Sequence, residues 1–315
     1  MKHERFDLWQ PGEYSYPMAF GFMPNLMTYL HEDEEIRPAM IVVPGGGYCV
    51  VAPTEGEIVA KKFYNFGYNA FVVTYTTNLL MTSPLEDQPL KDLSRAIRLA
   101  RSKAEEFHID PSKVAICGFS AGGHLCASAC THFAEIEDPA FEGISNRPDA
   151  AILSYPVITS GEKAHRGSFV ALLGADASEE ELHHASLETQ VTSETTPCFL
   201  WQTADDEAVP VENSYLFAEA LRKCGIPHAH HVFSHGQHGL SLADEDWAEG
   251  RFGEPYTMEQ TMKVIEAVQD GRIDLPEEQK AMFKEMDENA FPLGSPSPEV
   301  RVWPELAREW LKTVL

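Results

Sequence analysis

Lys113-Val114-Ala115-Ile116-Cys117-Gly118-Phe119-Ser120-Ala121-Gly122-Gly123-His124 is the stretch that decides the fold of this chain. A β-rich run feeds Gly118-x-Ser120-x-Gly122, and an Ala- and Leu-bearing helical pattern follows at once. The motif therefore sits where a strand turns sharply into a helix. Glycines at 118 and 122 leave room for a tight turn in which the Ser120 backbone is strained and its hydroxyl pushed out of the packed surface. The helix beginning near Ala121 points its free N–H groups and positive dipole end at any negative charge that develops beside the serine. The bare motif also arises by chance, and a serine there can simply cap a helix. The strand before it and the helix after it make Ser120 a candidate nucleophile.

Outward from this stretch, strands and helices alternate. Ala39-Met40-Ile41-Val42-Val43 is a continuous apolar run typical of a strand buried on both faces. It ends in Pro44-Gly45-Gly46-Gly47-Tyr48, and a helix pattern from about Glu55 to Phe66 follows, stopped by Gly67. Residues 68–75 read as the next strand. Leu90, Leu93, Ile97, Ala100, Ala104 and Phe107 recur at three and four residues, which predicts an amphipathic helix over 88–107; Asp110-Pro111 then reads as a turn. Beyond the serine come a strand at 150–155, a helical acidic stretch at 164–189, a strand at 197–202, a helix at 212–224 and a strand at 228–233. Asn25–Leu30 looks like an edge strand behind an aromatic- and proline-rich arm. The alternation predicts an α/β fold with a doubly wound, mainly parallel sheet.

Residues 244–299 break the rhythm, with fifteen Asp and Glu against five Lys and Arg and with helix-like patches at Met258–Val268 and Glu277–Met286. They read as an insertion before a closing helix at 304–314, within a single domain spanning 1–315. Because the insertion leaves the sheet a few residues after His238, it is expected to lie over or beside the site as a lid.

A nucleophilic serine needs a base, an orienter for that base and donors for the oxyanion. The strand at 197–202 runs into Thr203-Ala204-Asp205-Asp206, and the strand at 228–233 runs into Ser234-His235-Gly236-Gln237-His238-Gly239. Both place chemistry at the C-terminal edge of the sheet, where ligands collect in open α/β folds. His238, followed directly by Gly at the end of a short loop, is the better base than His235. Between Asp205 and Asp206 the residues themselves do not choose. The glycine turn at 45–47 would bring backbone N–H groups to a substrate oxygen, joined by the Ala121 N–H. Tyr48 either lines the acyl pocket or packs against that turn.

The formal net charge of −25 argues against nucleic-acid phosphates and anionic membranes as partners. The N-terminus carries charges where a secretory signal needs an apolar core, no long apolar run follows, and the six cysteines include no CxxC pair. The expectation is a cytoplasmic protein with buried thiols, no metal and no cofactor. His228-x-His230 shares a strand face, but no carboxylate or Cys completes a ligand set around it. Homo-oligomer formation stays open.

In combination, Pro-Gly-Gly-Gly-Tyr at 44–48, Glu-Gly-Glu at 55–57, Ile-Asp-Pro-Ser-Lys-Val at 109–114, Gly-Phe-Ser-Ala-Gly-Gly-His at 118–124, Ala-Asp-Asp-x-x-Val-Pro at 204–210 and His-Gly-Leu at 238–240 resemble the bacterial α/β-hydrolase esterases related to acetyl-xylan and feruloyl esterases. The resemblance implies an α/β-hydrolase fold. It also implies hydrolysis of a short-chain, most often acetyl, ester on a xylo-oligosaccharide or other sugar through an acyl-enzyme. It implies Ser120 as nucleophile, His238 as base, Asp205 as its orienter, and Gly46, Gly47 and Ala121 as oxyanion donors. An amide hydrolase of the formamidase or peptidase kind would use the same residues, whereas a non-enzymatic binding protein on this fold should have lost one of them. Trp9, Tyr48, Trp201 and Trp247 are the aromatics available to stack on a sugar ring, with core packing as their default.

Overall fold

Strand alternation in the middle of the sheet divides the core into two layers. The computed structural model describes residues 1–276 and 293–315. β3 (Arg37–Val43) sends Ala39, Ile41 and Val43 into one cluster and Met40 and Val42 into the other. Its neighbour β5 (Ile109–Phe119) does the same with Val114 and Ile116 against Ala115, Cys117 and Phe119. Strands apolar on both sides need cover on both sides. α1 (Glu57–Asn65) and α10 (Trp303–Val314) cover one face through Val59, Phe63, Trp303 and Leu311. α2 (Gln88–Ser102), α4 (Ser120–Thr131) and α7 (Glu212–Lys223) cover the other through Leu93, Ile97, Leu125 and Leu221.

The described residues form an eight-stranded sheet. Its order is β1 (Arg5–Asp7), β2 (Asn25–Tyr29), β4 (Asn69–Thr74), β3, β5, β6 (Ala150–Ser154), β7 (Cys198–Thr203) and β8 (His228–Phe233). β2 runs antiparallel to β1 and β4, and the other pairs are parallel. The strand order reverses between β3 and β5, so the ends of these two strands flank the crevice where an open α/β sheet takes its ligand. Ser120 follows β5 directly, and the glycine turn follows β3. Asn25–Tyr29 is not the edge, because the N-terminal arm adds β1 outside it. The arm is fastened at Trp9, whose Nε1 donates to Asp92 Oδ1 at 2.7 Å while the Arg95 guanidinium lies 3.8 Å over its ring.

Two boundaries differ from expectation. The helix over 88–107 is interrupted at Lys103 and resumes as α3 (Ala104–Phe107), ending on His108 at φ 49°. Asp110-Pro111 lies inside β5, where pairing with β3 jumps from Arg37↔Ile109 to Ala39↔Val114. The turn-forming pair survives as an irregularity in the ladder, where a proline without an N–H breaks no bond. The acidic stretch holds α5 (Arg166–Leu173) and α6 (Glu179–His184), the latter started by a Ser178/Glu181 capping box. In the insertion, α8 (Glu245–Ala248) and α9 (Glu259–Gln269) are described, and α9 matches the patch read at 258–268. The patch at 277–286 lies outside the described residues. Cys126 and Cys130 are buried in the core, and all six cysteines are free. No helix among the described residues is long and apolar enough to cross a membrane.

Gly122 joins the first turn of α4 to the end of β3. A Cβ there would lie 2.2 Å from the Val43 carbonyl oxygen and 2.4 Å from that of Pro44, both backbone atoms with no room to yield. Gly122→Ala should therefore cost about 3 kcal/mol, as overpacking does when the obstacle is main chain. Urea denaturation should show it as a lowered midpoint at unchanged slope.

Candidate active site

Ser120 stands at φ 51°, a left-handed backbone that a side-chain-bearing residue adopts only when its surroundings hold it there. The strain lifts its side chain out of the sheet edge toward the loop that follows β8. His238 Nε2 lies 2.8 Å from Ser120 Oγ, and His238 Nδ1 lies 2.7 Å from Asp206 Oδ2. A carboxylate only accepts, so Nδ1 carries the ring proton and donates to Asp206, leaving Nε2 to accept from the serine hydroxyl. The Asp206 side chain is fully buried, and its Oδ1 accepts from the N–H groups of Ala208 and Val209 at 3.0 and 2.9 Å.

Asp205, the orienter implied by the resemblance, does not reach His238. It is more than half exposed; its Oδ1 accepts from the Gly236 N–H at 2.7 Å, and its Oδ2 meets His235 Nδ1 at 3.1 Å. The adjacent carboxylates divide the work: one turns in against the imidazole, the other fixes the loop that carries it. His235 takes part in the second arrangement, and among the described residues it makes no hydrogen bond to Ser120.

The glycine turn lies across the elbow from the histidine. Gly46 has φ 119°, and a Cβ there would run into the Val50 carbonyl oxygen at 2.3 Å. Among the described residues neither the Gly46 nor the Gly47 N–H donates to a backbone oxygen. Both residues border, with Ser120 and His238, a cleft of about 410 Å³. Ala121 is the second residue of α4, so its N–H belongs to the set a helix leaves without an internal partner. Tyr48 is a different matter. Its ring is buried, its hydroxyl donates to His124 Nδ1 at 2.8 Å, and it faces a separate cavity of about 330 Å³ on the far side of the turn. His124 donates its other ring N–H to the Ala185 carbonyl at 2.9 Å, and burial depresses its pKa to about 4, so it stays a neutral acceptor for Tyr48. Tyr48 thus packs behind the turn and is not part of the cleft. Trp201 and Trp247 are core residues, and Trp9 is held under Arg95. None of these aromatics presents a face to the cleft.

Glu55, Tyr155, His165 and Leu293 are residues that the reading of motifs did not assign to the site. Glu55 is a buried carboxylate whose Oε2 accepts from the Gly45 N–H and whose Oε1 accepts from the Tyr155 hydroxyl, both at 2.7 Å. Burial pushes its pKa up, while those hydrogen bonds and nearby His238 pull it down. Tyr155 packs its ring edge-on 4.9 Å from the His238 ring, and its hydroxyl accepts from the Ser241 N–H at 3.0 Å. The Glu-Gly-Glu at 55–57 was a visible signal for Glu55, whereas nothing local marked Tyr155. His165 borders the cleft, bonded through Nδ1 to Ser168 Oγ at 2.8 Å; burial lowers its pKa, with His238 adding to the effect and Asp206 opposing it. Leu293, from the insertion, also borders the cleft, and the next residue, Gly294, packs against Gln237.

A hydroxyl bonded to an imidazole that is itself oriented by a buried carboxylate can add to a carbonyl while passing its proton to the ring. The BD-FAE family model matches residues 26–221, which takes in the glycine turn, the elbow and Asp206. The chain belongs to the BD-FAE family. It is an α/β-hydrolase, and its relatives agree. It is 52% identical over 270 residues to endo-1,4-beta-xylanase B of Butyrivibrio fibrisolvens, which covers 85% of this chain and 42% of that protein. It is 31% identical over 227 residues to the acetylxylan esterase of Xylanibacter ruminicola, covering 69% of this chain and 44% of the other. The chain thus spans about two fifths of the length of these relatives. Among solved structures, an acetyl ester-xyloside bifunctional hydrolase from Caldicellulosiruptor lactoaceticus matches with a TM-score of 0.71 and 38% identity, over 86% of this chain and 97% of that one.

The geometry of this BD-FAE chain separates its adjacent aspartates by experiment. Asp206→Asn should slow labelling of Ser120 by a serine-directed fluorophosphonate about a thousandfold, since an amide cannot hold the imidazole tautomer. Asp205→Asn should stay within about tenfold of the parent, because it loosens a loop and leaves the proton path intact. Equal losses would remove the distinction.

Proposed function

We propose that this chain is a serine carboxylesterase that removes short acyl groups, chiefly acetyl, from sugars such as xylo-oligosaccharides. The observation that carries the reading is the hydrogen-bonded run from Ser120 Oγ through His238 to buried Asp206. Ser120 attacks the ester carbonyl as His238 takes its proton. The oxyanion is held by the N–H groups of Gly46, Gly47 and Ala121, each donor contributing about 3 kcal/mol to lowering the barrier. His238 returns the proton to the departing sugar hydroxyl, leaving an acyl-enzyme. Water, activated by the same imidazole, then releases the acid and restores Ser120.

The sugar ester comes from the relatives' names and from the cleft. One relative is an acetylxylan esterase, and a structural neighbour is an acetyl ester-xyloside hydrolase. Glycoside cleavage asks for a pair of carboxyl groups flanking the scissile bond. Among the described residues bordering the cleft the one carboxylate is Glu55, buried and engaged by Gly45 and Tyr155. The ester reading is favoured over the glycosidic one on that ground. The described parts of the insertion act as a cover on the leaving-group side, supported by Leu293 at the cleft and by Thr257, whose hydroxyl donates to the Val51 carbonyl beyond the glycine turn at 2.8 Å.

Acetate release from acetylated xylo-oligosaccharides, run beside p-nitrophenyl acetate and octanoate and the matching amides, tests the substrate. We expect acetate from the sugars, a preference for acetyl over octanoyl, and no turnover by Ser120→Ala. Rates that rise with acyl length, without acetate from any sugar, would remove the sugar-ester assignment, and a preference for amides would make the enzyme an amidase. Glu55→Gln addresses the second carboxylate. Its amide cannot accept from both Gly45 and Tyr155, so the glycine turn and the His238 loop lose a shared anchor. The expected result is a fall of about thirtyfold in kcat with KM nearly unchanged, the signature of donors that matter in the transition state.

A further inference from the structure

Away from the cleft, two helices end at one place. α4 closes on Thr131 with His132 as its C-cap, and α6 closes on His184. The turn Phe133–Glu135 carries the Glu135 carboxylate to both imidazoles: Oε1 lies 2.8 Å from His132 Nδ1, and Oε2 lies 3.0 Å from His184 Nε2. The rings stack with centroids 4.2 Å apart and planes inclined by 18°. One ligand atom from each residue falls within 4.8 Å of the others.

Hydrogen-bond inventory decides what these nitrogens offer. His132 Nε2 lies 3.2 Å from the His184 carbonyl oxygen, which only accepts, so Nε2 carries the ring proton. Its Nδ1 lone pair then faces a carboxylate oxygen, which also only accepts. Two lone pairs at that separation require a positive centre between them, a proton or a metal ion, whereas His184 Nε2, with no acceptor among the described residues fixing the tautomer of its ring, can meet the other oxygen as an N–H donor or with a lone pair. A metal ion in that position would be held by all three groups at once, with the His132 side chain only 6% exposed. The carbonyl at His132 Nε2 is the kind of second partner that orients a ligating histidine.

We propose that His132, Glu135 and His184 form a site for a divalent transition metal, zinc in character, that clamps the far end of the nucleophile helix to α6. Two imidazole nitrogens and a carboxylate suit Zn²⁺ and disfavour Ca²⁺ or Mg²⁺, which take oxygen ligands. A tetrahedral site with bonds near 2.05 Å places its ligands about 3.4 Å apart, so the cluster opens by a few tenths of an ångström on binding. Glu135 and His184 are exposed and free to make that adjustment, while His132 is buried and fixed in place. Glu86, Asp87 and Glu181 on the wall of the neighbouring cavity add negative potential at the mouth. His132 lies twelve residue steps along the helix from Ser120, about 18 Å at the α-helical rise. The ion is therefore a structural clamp and takes no part in ester chemistry.

The test uses the full chain without an affinity tag, stripped with EDTA and titrated with ZnCl₂ by calorimetry, with Co²⁺ as a spectroscopic probe. We expect one equivalent of Zn²⁺ bound at micromolar affinity or tighter, visible Co²⁺ bands of a four-coordinate site and a Zn²⁺-dependent rise in melting temperature. Glu135→Gln and His184→Ala, both at exposed positions, should each weaken Zn²⁺ binding by at least about tenfold and abolish the Co²⁺ bands, with hydrolysis of p-nitrophenyl acetate unchanged. Absence of binding, or a loss smaller than that in either variant, would leave the cluster an ion pair only and overturn the proposal.

Discussion

The left-handed backbone at Ser120 is the constraint on which the rest of the site depends. A residue at φ 51° is held there by over-determination from its surroundings, and the surroundings here are main chain. Gly122 brings the first turn of α4 against the carbonyls of Val43 and Pro44. The same contact fixes the distance between the elbow and the glycine turn, because Pro44 opens that turn. Ser120 and the glycine turn are therefore parts of one packed junction between β3, β5 and α4. Their spacing is set by backbone, not by side chains that could change rotamer.

The histidine loop is fixed by a different kind of force. β8 ends well short of His238, and the residues between them have no strand partner to hold them. Charge-assisted hydrogen bonds do most of that work, as Asp205 ties Gly236 and His235 and Asp206 ties the ring of His238, and the Thr203 hydroxyl adds a neutral bond to the Gly236 carbonyl at 2.7 Å. One short run after β7 thus supplies both the orienter of the imidazole and the brace of its loop. That double use explains why an Asp-Asp pair stands where one carboxylate would satisfy the chemistry.

Most of the fold was legible because its strands are buried on both faces and its helices carry a clear period. Ala39–Val43 and Leu93–Ala100 could hardly be read otherwise, and Ser120 and His238 followed from the edge of the sheet on which they stand. What failed to show had physical reasons. The choice between Asp205 and Asp206 depends on which way one turn residue faces, and motif resemblance picked the carboxylate that braces the loop. Tyr48 follows the glycine turn in sequence, yet its φ of 62° carries the ring behind the turn into contact with His124. Asp110-Pro111 has the composition of a turn and lies inside a strand as an irregularity. Tyr155 and His165 reach the site through tertiary contact alone, which leaves no local pattern to find.

Glu55 poses the sharpest energetic question in the structure. A buried carboxylate is costly, and no lysine or arginine is paired with it among the described residues. Hydrophobic packing would be cheaper if stability were all that the position provided. Its hydrogen bonds, however, run to three places around the cleft: Gly45 in the glycine turn, Tyr155 at the end of β6, and through the Tyr155 hydroxyl Ser241 in the segment after His238. A single acceptor with two oxygens can hold two donors at a fixed angle, which an apolar contact cannot do because dispersion has little directionality. The cost of burying Glu55 is thus offset by order in the loops that form the cleft.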